Sequence, residues 1–178
     1  MNIWVIIILV IVILWVISTS NSFNKYQVDI DNAFADIDAT LEKRFDVVKN
    51  AYNAAMNYLN KEQQMFIETA KYRSGMTVSE MAEAEKKINE CIEIFKATNE
   101  QYPELTAKDA MLNAQKVIIS TEEELLAARR IYNNNVAILN KKVNNFPSSL
   151  IASIRKVKER EFFKVSEEKK KGFQIELD

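Results

Sequence analysis

The chain contains no histidine, the residue whose side-chain pKa lies nearest to neutral pH. Its absence excludes Ser-His catalytic machinery, histidine general bases and the commonest zinc sites. A single cysteine, Cys91, excludes an intramolecular disulfide. Because Cys91 lies among Ile88, Ile92 and Ile94, we interpret it as a small packing residue, with a reactive thiol as the alternative.

Glycine and proline are also scarce, with two of each in 178 residues. Since these residues are the main breakers of regular structure, the sequence predicts few turns and long helices. An all-β or βαβ fold would need many more turn residues, so we predict an all-α fold. The formal net charge of −1 provides no overall basic field, which argues against nucleic acid as a partner.

The N-terminal segment has no charged side chain in its first 24 residues. It is apolar from Ile3 to Ile17, and with the uncharged residues that follow it can cross a hydrocarbon core about 30 Å thick. Trp4 and Trp15 lie near its two ends, where indole rings favour the membrane interface. We therefore predict a single-pass transmembrane anchor over residues 1–23, in the lipid bilayer of the cell membrane.

A cleaved signal peptide, which would release a secreted helical domain, is the alternative interpretation of this segment. The segment lacks a basic start and an Ala-x-Ala site, although the small residues in STSNS leave cleavage open. Few charges determine the orientation: Lys25 follows the span closely, and Lys43 and Arg44 are more distant. This balance favours a short N-terminus outside and the large domain in the cytoplasm.

Behind the anchor, apolar residues recur at steps of three and four, which is typical of an amphipathic helix. They are Ile30, Phe34, Ile37, Leu41, Phe45, Val48, Tyr52, Ala55 and Leu59. No glycine or proline interrupts residues 25–73, so we predict a first long helix there, with Gly75 as its stop. A kink near residues 45–50 is left open, because helices of unequal length do not close into an even bundle.

Two further long helices follow. Thr77 and Glu80 form a capping-box pattern that predicts a second helix to about Gln101. A third helix is predicted from the TAKD segment, residues 106–109, to near Asn145. Its apolar residues at a spacing of seven predict a seam that faces other helices. They are Ile118, Leu125, Tyr132, Leu139 and Phe146.

After the third helix, residues 147–158 form a short basic amphipathic segment. This segment either packs on the bundle or lies on an anionic membrane surface. The predicted architecture is thus an elongated antiparallel bundle of three long helices plus a short C-terminal helix, over residues 24–163. Residues 164–178 have no sustained period and are expected to be a solvated or disordered polar tail.

The sequence from residue 24 to residue 50 resembles the N-terminal block of the LemA family. The matching positions are Val28, Ala33, Phe34, Ile37, Asp38, Leu41, Lys43, Arg44, Asp46 and Asn50. Further matches are YPEL at residues 102–105, Glu122, the ARRIYNNN segment, the FPSS segment and EFF at residues 161–163. Two positions depart from the family, because Lys49 replaces its usual proline and Leu139 a tyrosine. The resemblance implies an anchored, cytoplasm-facing helical bundle whose molecular function is poorly defined.

The aspartates of the first long helix raise the question of acid/base or metal chemistry. Asp36 and Asp38 are two residues apart, and such positions point about 200° apart on a helix. Di-iron bundles use Glu-x-x-His pairs, and this chain has no histidine. A carboxylate-based metal-binding or enzymatic bundle, in which Asp38 or Asp46 joins Glu122, is the alternative function. We expect no catalytic residue, cofactor or metal.

The preferred interpretation of these charges is ion pairing between helices. We expect Lys43 and Arg44 to meet Glu122, and Asp38 or Asp46 to meet Arg129. The candidate interhelical or partner-binding residues are Asp38, Lys43, Arg44, Asp46, Glu122, Arg129 and Asn133. The expected function is a membrane-anchored helical scaffold or adaptor that binds an unidentified protein partner, with self-association left open.

Overall fold

A computed structural model describes residues 3–58, 75–103 and 109–164, and the described residues form helices without any strand. The helices are α1 (Ile3–Tyr58), α2 (Val78–Gln101), α3 (Asp109–Asn144) and α4 (Ser148–Arg155). This confirms the predicted all-α fold. The end of the first predicted helix, the cap at Thr106 and the polar tail after Lys164 lie outside the described residues.

The anchor segment and the first bundle helix are one element. α1 continues without a break from the apolar run through the polar residues 18–24 and through residues 45–50. Lys49 occupies a helical position where proline would have removed a backbone N–H donor. Apolar side chains at Ile30, Ile37 and Leu41 are buried, as the spacing of three and four predicts.

The chain divides into two compact units. Unit 1 contains residues Met1–Ala35 and Arg129–Phe162, and unit 2 contains Asp36–Ala128 and Phe163–Asp178. In unit 1 the Phe34 and Tyr132 ring centroids are 6.0 Å apart. Nearer the N-terminus, the Lys142 Nζ lies 5.8 Å from the centroid of the Tyr26 ring. Residue numbers thus fall on α1 while they rise on α3, so the two helices are antiparallel in this unit.

Unit 1 also buries the first residues after the apolar run. Thr19 and Phe23 on α1 are 7% and 0% exposed, and Ile151 and Ala152 on α4 are buried as well. Thr19 is therefore the first buried side chain along the described part of α1. The short C-terminal helix is amphipathic, as its sequence predicts, and it contributes one face to this unit.

Unit 2 joins the middle of α1, all of α2 and the first part of α3. Ala51, Phe95, Met111 and Ala114 form one buried cluster of small and large apolar side chains from the three helices. In the same unit Arg44 contacts Asn89 on α2 and Glu122 on α3. On going from Arg44 to Ala51 along α1, the neighbouring residues on α2 have higher residue numbers, and those on α3 have lower residue numbers. α2 is therefore parallel to this part of α1, and α3 is antiparallel to it.

The helix ends follow local sequence signals. Thr77 is the N-cap of α2: its Oγ1 accepts from the Glu80 backbone N–H, and the Glu80 carboxylate accepts from the Thr77 N–H at 2.8 Å. This is the predicted capping box. Gly75 just before it has a φ of +83°, which L side chains rarely adopt. α4 ends at Lys156, a left-handed residue whose N–H donates to the Ser153 carbonyl.

One predicted seam residue is not buried. Leu125, Tyr132 and Leu139 are at most 2% exposed, but Phe146 at the next step of seven is 80% exposed. The reason is that α3 ends at Asn144, so the helical period no longer applies at Phe146. The seam of α3 therefore ends with Leu139.

Candidate functional site: a buried arginine between three helices

Arg44 is the largest fully buried charged side chain among the described residues, at 2% exposure. It lies on α1 one turn after Leu41 and one turn before Val48, within the apolar stripe. Its Nη1 donates to Glu122 Oε2 on α3 at 2.7 Å. Its Nη2 donates to Asn89 Oδ1 on α2 at 3.3 Å. One guanidinium thus contacts polar groups of both neighbouring helices.

A second polar contact continues from Arg44 into α2. The Asn89 amide nitrogen lies 3.4 Å from Glu85 Oε1, to which it donates, and Glu85 is 5% exposed. On α3, the fully buried Thr121 donates from its hydroxyl to the Val117 carbonyl at 2.7 Å, so its polar group is satisfied within its own helix. The result is a polar layer within the apolar core of unit 2.

The electrostatics of this layer suit helix alignment. An arginine stays protonated at all physiological pH values, so it neither supplies nor removes a proton. The desolvation cost of burying a charge offsets much of its attraction to the partner, so such a pair fixes register more than it adds stability. The Glu122 side chain is 33% exposed and keeps part of its hydration. The arrangement selects one alignment of the three helices.

Lys43, next to Arg44, contacts a different carboxylate from the one that we expected. Its Nζ lies 3.6 Å from Glu124 Oε2, and both side chains are half exposed. Consecutive residues point about 100° apart on a helix, so Lys43 faces outward where Arg44 faces inward. Lys43 therefore forms a solvated ion pair with Glu124 in place of the expected pair with Glu122.

The remaining candidate residues differ in burial. Asp46 is exposed, Asp38 and Asn133 are half-buried, and Arg129 is buried at 3% exposure. The pairing of Arg129 with an aspartate of α1 stays a prediction. Asp36 is exposed and its backbone carbonyl accepts from Thr40 Oγ1, while Asp38 points to another side of α1.

Glu85 and Asn89 were not among the polar residues expected between the helices. Both lie on the α2 stripe that includes Met81, Ala84 and Ile88, and a polar pair one turn apart inside such a stripe is the signal that was available. Arg44 supplies Asn89 with a polar partner from another helix, and the Asn89 amide in turn donates to the buried Glu85.

Unit 1 has its own polar contacts, which hold the chain after α4 against α3. The Tyr132 hydroxyl donates to the Glu161 carbonyl at 2.9 Å. The Asn140 amide donates to the Arg160 carbonyl and accepts from the Arg160 N–H, both at 2.9 Å. Arg160 Nη2 is 2.9 Å from Asp31 on α1. These hydrogen bonds join Tyr132 to a residue 29 positions later in the sequence, and Asn140 to a residue 20 positions later.

Two described residues have shifted proton affinities. Burial raises the pKa of the Tyr132 phenol; the nearby Arg160 charge lowers it, and Glu161 and Asp31 raise it further. Burial also raises the pKa of the Cys91 thiol, with a smaller contribution from Glu90 in the same direction. Both shifts favour the neutral form. Neither side chain is set up as a nucleophile by its surroundings.

The carboxylates do not gather into a metal-binding group within the described residues, where no set of three or more His, Cys, Asp or Glu side chains could hold an ion. The Glu122 carboxylate instead faces a cation that the protein itself supplies, the Arg44 guanidinium. This part of the chain therefore gives no support to the carboxylate-based alternative function.

The fold and this site define a class: a helical bundle that begins with an exposed apolar helix and is aligned by buried polar contacts. Residues 33–177 match the model of the LemA family, and the chain belongs to this family. No curated protein matches the sequence.

Proposed function

We propose that this protein is a membrane-anchored helical scaffold that binds a partner protein through the outer surface of α3. The observation that carries the proposal is the continuity of α1. The helix includes a stretch with a mean hydropathy of 2.9, only 6% of which is buried, and it continues into the packed residues of unit 1. A continuous helix of this kind would hold the packed residues of unit 1 at a fixed distance from the bilayer.

The exposure of the apolar run supports a membrane location. Side chains such as Ile3, Trp4 and Leu14 are at least 60% exposed. A core helix of a soluble protein would bury them, since each apolar side chain left in water forgoes about 1.5–3 kcal/mol. A lipid environment satisfies them, and the internally bonded backbone of α1 suits that environment.

The packing just after the run supports a retained anchor. Cleavage in STSNS after Ser20 or later would detach Thr19 and Ser20 from the folded unit. Thr19 is buried, and Ser20 accepts two hydrogen bonds from Arg155, at 2.5 and 2.7 Å. A signal peptide is expected to leave an independent domain, whereas here the residues at the cleavage region are part of unit 1. We therefore favour an uncleaved single-pass anchor.

The charge near the anchor supports a cytoplasmic bundle. Residues 141–159 contain five basic residues and one acidic residue, and Arg155 and Lys142 from this segment contact α1 within 10 residues of the apolar run. Basic residues close to a span favour the cytoplasmic side, and the cytoplasmic leaflet is anionic. The proposed topology has a short N-terminus outside.

The partner surface is assigned to the outer face of α3 in unit 2. Leu112, Ile119 and Leu126 lie seven residues apart and are 40%, 70% and 49% exposed. Residues at this spacing share one face of a helix, so they form an apolar stripe on the surface. An apolar helical face offered to solvent is typical of a surface that receives a groove or helix of another protein. The inward-facing Arg44 is assigned to helix alignment instead.

A photocrosslinking experiment tests this assignment. A photoreactive amino acid is placed at Ile119 in the full chain in native membranes, with Glu93 on α2, whose side chain is 71% exposed, as the matched control position. We expect a discrete crosslinked protein from position 119 and none from position 93. Ile119→Glu, combined with a reactive group at Leu112, is expected to remove the crosslink.

The possible results separate the alternatives. Equal crosslinking from both positions, or none from position 119, contradicts the α3 surface. A product containing only this chain contradicts a separate partner and identifies self-association. The anchor is tested separately: we expect the intact N-terminus in membranes washed at alkaline pH, and its loss would favour the signal peptide. Protease added to sealed vesicles of known orientation is expected to cut the bundle only from the cytoplasmic face.

A further inference from the structure

The short helix α4 lies at the level where the apolar part of α1 ends. Arg155 at its C-terminal end donates from Nη1 to Ser20 and from Nη2 to Asn24 Oδ1 at 2.6 Å. A helix rises 1.5 Å per residue, so Ser20 is only about 5 Å beyond Ile17, the last residue of the apolar run. α4 is thereby fixed beside the proposed exit of the anchor from the bilayer.

α4 has a buried apolar side and an exposed apolar side. Ile151 and Ala152 are buried in unit 1. Leu150 and Ile154 are one turn apart on α4 and are 56% and 77% exposed, and Phe146, two residues before the helix, is 80% exposed. The first side explains the packing of α4, but the second is a row of large apolar side chains offered to the surroundings next to the anchor.

The charges around this row are mostly basic. Between residues 141 and 159 the basic side chains are Lys141, Lys142, Arg155, Lys156 and Lys158. The single acidic residue, Glu159, is hydrogen-bonded to the Asn144 amide. Lys156 and Lys158 are exposed and directly follow the apolar row. An apolar row flanked by lysines is the pattern of a helix that lies in the interface of an anionic membrane.

We propose that Phe146, Leu150 and Ile154 form a second membrane contact, which inserts into the leaflet that surrounds the anchor exit while Lys156 and Lys158 bind anionic phospholipid headgroups. The contact rests on the proposed anchor, because α1 places α4 at this level. The lipid surface is favoured over a protein because the row adjoins the anchor and the surrounding charge is basic. With two contacts, unit 1 cannot rotate freely about the anchor.

Fluorescence of the full chain in vesicles tests the contact. An environment-sensitive dye is attached at Ile154→Cys in a Cys91→Ala background, and a matched sample carries it at Glu93→Cys. The vesicles contain phosphatidylcholine with or without phosphatidylglycerol, and lipids with a quencher near the headgroup are added. Both tryptophans, Trp4 and Trp15, lie in the apolar run, so their quenching reports on the anchor alone.

We expect the quencher to reduce dye emission at position 154 about twofold and to leave position 93 unchanged. Omitting phosphatidylglycerol, or combining Lys156→Gln with Lys158→Gln, is expected to remove much of the quenching. Quenched tryptophans with an unquenched dye at position 154 overturn the second contact while the anchor stands; if that dye also reports an apolar environment, a protein or a second copy covers the row. Unquenched tryptophans overturn the anchor and the contact together.

Discussion

Arg44 and Glu122 form an ion pair of 2.7 Å in which only one partner is buried. The Arg44 side chain is 2% exposed and the Glu122 side chain 33% exposed. The guanidinium has therefore exchanged nearly all its hydration for two contacts, whereas the carboxylate retains part of its water. Loss of the arginine and loss of the glutamate should consequently have different effects.

Arg44→Ala is predicted to destabilise the bundle by about 2–4 kcal/mol, since it removes a buried partner and leaves a space in the core. For a chain of this size this corresponds to a fall in the melting temperature of about 4–16 °C. Circular dichroism of the full chain in detergent measures it. Lys43→Ala is the matched control, because its exposed pair with Glu124 contributes only about 0–1 kcal/mol.

Glu122→Gln tests the same relationship from the other side. This substitution is predicted to lower the free energy of unfolding more than Lys43→Ala does, because Arg44 stays buried without its counter-charge. The double variant Arg44→Met with Glu122→Gln is predicted to lose less stability than the sum of the losses measured for Arg44→Met alone and Glu122→Gln alone. Additive effects would mean that the two side chains act independently, against the geometry of the pair.

The capping box at the start of α2 gives a second prediction. Thr77→Ala removes the hydroxyl that accepts from the Glu80 N–H, and we expect a loss of about 1 kcal/mol. Ser79→Ala, at an exposed position in the first turn, is the control and should have little effect. Thermal unfolding of the three proteins compares them. Equal stability of the Thr77 variant and the unchanged chain would contradict a structural role for the cap.

The thiol of Cys91 gives a third prediction. Burial raises its pKa and keeps it from alkylating reagents, which react with the thiolate. We expect Cys91 to react much more slowly in the native protein than in the denatured protein at the same pH. A native rate close to the denatured rate would contradict the packing role. It would also favour the reactive-thiol interpretation.

The helices could be predicted from the sequence because their signals are local. The spacing of Ile30, Ile37 and Leu41 and the Thr77–Glu80 pattern need only neighbouring residues, and both are confirmed. The continuity of α1 through STSNS was not predicted as part of the packed bundle. The contacts that stabilise Ser20 and Asn24 there come from Arg155, more than 130 residues later.

The polar site was predictable only in part. Arg44 was a candidate because it matches the N-terminal block of the family and was expected to meet Glu122 on another helix. Its contact with Asn89 depends on how α2 aligns with α1, and no local pattern specifies that alignment. Similarly, the outward row that begins at Leu112 lies one residue out of step with the inward seam from Ile118. From the sequence alone, nothing tells which of the two apolar rows of α3 packs against the other helices and which faces outward.

The backbone contact of Asn140 gives a fourth prediction. Its amide both donates to and accepts from the Arg160 backbone, so Asn140→Ala removes two hydrogen bonds. We expect a loss of about 1–3 kcal/mol and faster hydrogen exchange at the Arg160 N–H. Asn134→Ala, at an exposed position of the same helix, is the control. Unchanged exchange at Arg160 would contradict the contact.

The pH dependence of stability is predicted to change in Tyr132→Phe. At neutral pH this variant loses the hydrogen bond to the Glu161 carbonyl, which costs about 1 kcal/mol. Burial raises the pKa of Tyr132 in the folded chain, so above about pH 10 the unfolded chain releases this proton first and the contribution of Tyr132 to stability falls.

The phenylalanine at position 132 has no proton to release, and all other tyrosines are common to both proteins. The stability difference between the two proteins is therefore expected to be largest at neutral pH and to shrink as the pH rises beyond about 10. Unfolding measured across this range gives the difference directly. A difference that stays constant would mean that the Tyr132 phenol ionises as easily in the folded chain as in the unfolded one, and a difference that grows with pH would mean that it ionises more easily in the folded chain.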